Sequence, residues 1–74
     1  MARYSVRSAL FGDEILRNGK VVGGIQYDDM LDACKWFYVG PDGTEHHSSF
    51  GDALMTAADL KRTVMEAYGE EGQR

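Results

Sequence analysis

The chain has one cysteine, one proline and one tryptophan among 74 residues. Cys34 has no second cysteine to pair with inside the chain, so no disulfide framework carries this fold and no oxidising compartment is required. A single proline excludes collagen-like and proline-rich tracts. Long apolar runs are missing too. The longest tight one is Trp36-Phe37-Tyr38-Val39, far short of the ~20 residues of a membrane-spanning helix. The first seven residues hold no apolar stretch of the ~7–15 residues that a signal peptide needs. The expectation is a cytoplasmic chain. The nine glycines form no phosphate-cradling loop: Gly23-Gly24 and Gly40-x-x-Gly43 match neither G-x-G-x-x-G nor G-x-x-x-x-G-K-[ST].

What is present is ordinary for a folded domain: 43% hydrophobic and 27% charged residues, with four Tyr and three Phe as core material that disordered chains lack. A chain this short buries only about 60% of its unfolded surface. Little room remains for a deep pocket of ~300 Å³ or more, which favours a surface-presenting protein over an enzyme.

Basic residues are fewer than acidic ones, giving a net charge of −4, and the two are unevenly placed. Residues 1–25 carry Arg3, Arg7, Arg17 and Lys20 against Asp13 and Glu14, whereas residues 26–60 carry seven carboxylates against Lys35 alone. Non-specific nucleic-acid affinity comes from neutralising phosphates, so the acidic middle points instead to a basic partner.

Residues 3–10 alternate, Tyr4, Val6 and Leu10 against Arg3, Ser5 and Arg7, which reads as a half-buried strand. Phe11-Gly12-Asp13 turns the chain. Asn18-Gly19 between apolar runs signals a hairpin that sets Arg17 against Lys20, Leu16 against Val21 and Ile15 against Val22. Leu16, Val21, Ile25 and Tyr27 are then expected to share a face. Gly23-Gly24 suggests a bulge or close backbone approach. Asp28 to Ala33 reads as a loop or one helical turn capped by Asp28. Lys35–Val39 is a β-prone strand, Gly40-Pro41-Asp42-Gly43 a turn, and residues 44–48 a return strand. Ser49-Phe50-Gly51-Asp52 has the form of a capping box. The spacing of Phe50, Ala53, Leu54, Ala57, Leu60, Val64 and Tyr68 predicts an amphipathic helix of about five turns. A second capping signal, Thr56-Ala57-Ala58-Asp59, allows a later start near Ala57. The sum is an α+β fold, an antiparallel sheet of four to five strands with one long C-terminal helix packed on one face. Residues 1–68 form one compact domain in this reading, and 69–74 a polar tail.

Three constellations bear on function. If Phe37 and Val39 pack under the helix, Trp36 and Tyr38 lie on the uncovered face and offer an apolar anchor; alternatively, loops bury both pairs. Asp52, Thr56, Asp59, Thr63, Glu66 and Glu70 fall on one helix face. With Asp28, Asp29 and Asp32 they form an acidic ridge able to mimic phosphates in an Arg/Lys groove, or simply a solvated helix face. His46 and His47, adjacent on a strand, point to opposite faces and chelate a metal poorly. No catalytic residue, metal or cofactor is expected. The partner-binding set is Trp36, Tyr38, Asp28, Asp29, Asp32, Asp52, Asp59 and Glu66.

The stretch "KWFYVGPDG", followed by a strand and by "SSFGDAL" opening a helix, resembles the arm-type DNA-binding domains of tyrosine recombinases. That resemblance implies a sheet-based nucleic-acid module in which Arg3, Arg7, Arg17 and Lys20 would serve. In size and acidity the whole chain is similar to small phage-encoded inhibitors, anti-CRISPR proteins among them. This likeness implies a non-catalytic module that binds and inhibits or regulates a basic, nucleic-acid-handling protein complex, in the host cytoplasm if the chain is phage-encoded; the lack of a long apolar run implies no membrane partner. A second copy closing an exposed sheet face is a further expectation.

Overall fold

The computed structural model describes residues 2–28, 33–48 and 56–70, without the side chains of Asp28, Ala33 and Cys34. Five strands, β1 (Tyr4–Ala9), β2 (Gly12–Arg17), β3 (Lys20–Asp28), β4 (Ala33–Val39) and β5 (Glu45–His47), precede one helix, α1 (Ala57–Tyr68). The sheet is antiparallel throughout, in the order β1-β2-β3-β4-β5, so every strand lies beside its chain neighbours. The fold is α+β, with α1 packed on β1, β2 and β3 and touching β4.

The β2–β3 turn has the expected chemistry. Asn18 (φ 53) and Gly19 (φ 81) both take the left-handed region that a tight two-residue hairpin demands and that Asn-Gly supplies with least strain. Asn18 does a second job, since its side-chain carbonyl accepts the Arg3 backbone N–H at 2.9 Å and ties the start of β1 to the turn. Arg17 faces Lys20 and Leu16 faces Val21 as expected, but Ile15 faces Gly23 rather than Val22. Val22 is the extra residue of a bulge. This moves Ile25 away from the Leu16–Val21 face and into the core with Ile15 and Val22. Gly23 and Gly24 provide close approach: a Cβ on Gly23 would lie 2.9 Å from the Phe37 carbonyl oxygen.

The bulge also sets β4. Trp36 pairs with Ile25 and Tyr38 with Gly23, so Trp36 and Tyr38 lie on the helix side, half-buried against the core. Phe37 is on the opposite face, which none of the described elements covers, with 38% of its surface exposed. The expected orientation of the aromatic strand is therefore reversed. The turn after β4 is built as expected: Gly40 N–H bonds to Thr44 O, Gly43 N–H to Gly40 O, and Thr44 N–H to the Asp42 carboxylate. β3 and β4 continue to the pair Asp28–Ala33; the loop or helical turn expected after Asp28 lies in residues 29–32, outside the described residues.

α1 begins late. Thr56 is its N-cap, in extended conformation, and forms a reciprocal capping box with Asp59. The helix has 12 residues, about three turns instead of five; the box at Ser49–Asp52 lies outside the described residues. Leu60 and Val64 are fully buried on Ile15, Val22 and Ile25. At the other end Gly69 (φ 79) terminates α1. Its N–H bonds to Glu66 O and that of Glu70 to Met65 O, the paired bonds of a Schellman motif. Tyr68 donates its hydroxyl to Val39 O at 3.1 Å, pinning the last turn to β4.

Candidate functional site: the open face of the sheet

One helix covers one face of the sheet, and the strand period of two sends alternate side chains to the other. On that open face Phe37 stacks with His47 at 6.3 Å between ring centroids. Opposite them stand Leu10 and Phe11, the two residues joining β1 to β2, exposed by 87% and 66%. Between these walls the floor is backbone, because Gly12 and Gly24 have no side chains. The result is an open groove of about 560 Å³, with Glu14, Gln26 and Lys35 also lining it. Gly12 is sterically required, and Gly24 is tightly placed. A Cβ on Gly12 would sit 1.8 Å from the Ile25 carbonyl oxygen, and one on Gly24 would sit 2.9 Å from the Phe37 ring.

Turn chemistry does not account for Leu10-Phe11. Neither residue has positive φ, so this hairpin lacks the backbone that best suits a two-residue connection. Asn18-Gly19 has that backbone in the same sheet. Large apolar side chains at an exposed turn add nothing to the core, and clustered with Phe37 they form the kind of patch that marks an interaction surface. The alternation sets Leu10 on the apolar face of the first strand with Tyr4 and Val6, and Phe11 in a Phe11-Gly12-Asp13 turn; the turn falls instead at Leu10-Phe11, with Gly12 and Asp13 already in β2. Two bulky apolar residues at a hairpin tip were the available signal.

Two of the four cations expected for nucleic acid, Arg7 and Arg17, are engaged by carboxylates. Arg7 reaches across to Glu14, with Nη2 at 2.5 Å and Nε at 3.0 Å from the same carboxylate oxygen. Arg17 belongs to the helix face. Its Nη2 donates to Glu70 at 2.7 Å and its Nε to the Tyr4 hydroxyl at 3.0 Å, while the guanidinium lies 4.5 Å from the Tyr68 ring centroid. Burial pushes the Tyr4 phenol up, and the Glu70 carboxyl is held down by Arg17 and Tyr4 despite its own desolvation. The Glu70 oxygen Oε2 is buried and accepts no hydrogen bond among the described residues.

The expected partner-binding residues are not gathered into one site. Trp36 and Tyr38 stack at 5.8 Å, and Tyr38 stacks on His46 at 4.6 Å, forming a ladder on the helix side. His46 and His47 thus point to opposite faces. Asp59 is occupied by the capping box, and Glu66 is exposed on α1. Glu70 turns away from the expected ridge toward Arg17. The side chains of Asp28, Asp29, Asp32 and Asp52 lie outside the described residues.

No protein-family model, curated protein or solved structure matches the chain. Among the described residues no helix is long and apolar enough to cross a membrane.

Proposed function

We propose that the protein is a non-catalytic protein-binding module that grips a basic partner, inhibiting or regulating a nucleic-acid-handling complex. The observation that carries this reading is the groove between Leu10-Phe11 and Phe37. Its exposed apolar walls and backbone floor suit one or two apolar side chains of a partner protein as anchors. The net charge of −4 favours a basic partner and speeds its encounter. With Arg7 held by Glu14 and Arg17 by Glu70, phosphate-neutralising capacity is low, which weighs against the sheet as a nucleic-acid platform.

The test is affinity capture from host lysate with and without nuclease, comparing wild type with Leu10→Ser/Phe11→Ser. Both side chains are exposed, so the variant keeps its fold, checked by circular dichroism. A basic protein or complex retained by wild type and lost by the variant supports the reading. Equal capture by both removes the groove from it. Binding that disappears on nuclease treatment replaces it with nucleic-acid binding.

A further inference from the structure

The two edges of the sheet differ. β5 is three residues long and carries Glu45 and His47, hydrogen-bonded to each other at 3.1 Å. Shortness and charge are common protections of an edge strand. β1 is twice as long, with no proline and no register shift against β2. Arg3 O accepts the Asn18 N–H, so by alternation Arg3, Ser5, Arg7 and Ala9 turn their backbone groups toward β2. Tyr4, Val6 and Ser8 turn theirs outward, and among the described residues no segment pairs with them. None of these three is charged, and Val6 is 43% exposed.

We propose that β1 is the self-association edge of this protein, pairing antiparallel with β1 of a second copy about a two-fold axis through Val6. The occupant follows from the strand's own sequence. The register that overlaps Arg3–Ala9 fully sets Val6 against Val6 of the second copy, Tyr4 against Ser8, Ser5 against Arg7 and Arg3 against Ala9. Each arginine meets a small uncharged residue, and like charges are never directly opposed, so the register escapes the repulsion that destabilises like-charged cross-strand pairs. Arg7 is already neutralised by Glu14. Sliding the axis to Arg7 would oppose two guanidinium groups. The axis stands normal to the sheet, so both helices lie on one side and both grooves on the other. The pairing is independent of what the groove binds.

Edge contacts belong with interfaces below ~1,200 Å², so sedimentation equilibrium is run from micromolar to millimolar protein. A species of twice the 8.2 kDa chain mass is expected to grow with concentration. Amide exchange read by NMR over the same series is expected to slow at Tyr4, Val6 and Ser8. Exchange at Ser5, Arg7 and Ala9 is slow throughout. Val6→Lys, which opposes two ammonium groups at the axis, is expected to weaken association at least tenfold. A chain that stays monomeric overturns the proposal. So does a dimer that Val6→Lys leaves intact, or one whose newly protected amides lie elsewhere. Should Val6→Lys fail to fold, the wild-type exchange series decides alone.

Discussion

Arg17 is the residue through which the end of the helix communicates with the sheet. It lies beside the Tyr4 and Tyr68 rings and bonds to Glu70 and Tyr4. The Glu70 carboxyl titrates lower in the fold than in the unfolded chain. Its contribution is therefore complete above the ordinary glutamate range and is lost as pH falls through the lowered value. Tyr4 is raised, so its contribution is complete below the ordinary phenol range and disappears as pH rises through the raised value. Thermal melts across pH are expected to show both limbs. Glu70→Gln lowers the melting temperature at neutral pH and flattens the acid limb, and Tyr4→Phe flattens the alkaline one. At the groove floor Gly12→Ala drives a methyl into the Ile25 carbonyl, which is backbone and cannot swing aside. A loss of at least about 3 kcal/mol is expected from such overpacking. Gly24→Ala meets chiefly the edge of the Phe37 ring at 2.9 Å, with the Asp13 carbonyl oxygen farther off at 3.3 Å. It costs about 1 kcal/mol and narrows the groove, so urea titrations of the two variants separate the backbone clash from the side-chain one.

At the scale of elements, α1 has a defined start. Thr56→Ala removes the acceptor for Asp59 N–H and is expected to cost about 1 kcal/mol in urea denaturation. Val64→Ala, fully buried at the centre of the helix–sheet contact, is expected to cost about 2 kcal/mol or more. The strands and the Asn18-Gly19 hairpin were legible in the sequence because their signals are local: alternation, a left-handed dipeptide, a Gly-Pro-Asp-Gly turn. The facing of β4 was not legible. It depends on the extra residue at Val22, and one residue of slip exchanges the two faces of every strand beyond it. This is why Trp36 and Tyr38 sit with the core and Phe37 sits outside. The helix start was ambiguous because two capping signals fit one continuous apolar period. The Arg17–Glu70 pair, 53 residues apart in sequence, had no local signal at all. The candidate site was the least legible part, since its floor is defined by glycines and its walls come from a turn and from the strand whose facing the bulge decides.

For the whole molecule, the order β1-β2-β3-β4-β5 means that each strand docks on the one just before it. Such a meander closes through short loops, and chains rich in local contacts cross their folding barrier quickly. The helix is different: α1 must return across the sheet to β1, and its C-terminal anchor reaches Arg17 from the far end of the chain. Stopped-flow measurements on Arg17→Met are expected to show unfolding accelerated and refolding nearly unchanged, the signature of a contact made after the barrier. Substitutions in the hairpin, such as Gly19→Ala, should mainly slow refolding. The sheet is thus the early product of folding and the helix clasp the late one. A chain emerging from the ribosome would complete its groove, walls and floor together, before the clasp that holds its reverse side in place.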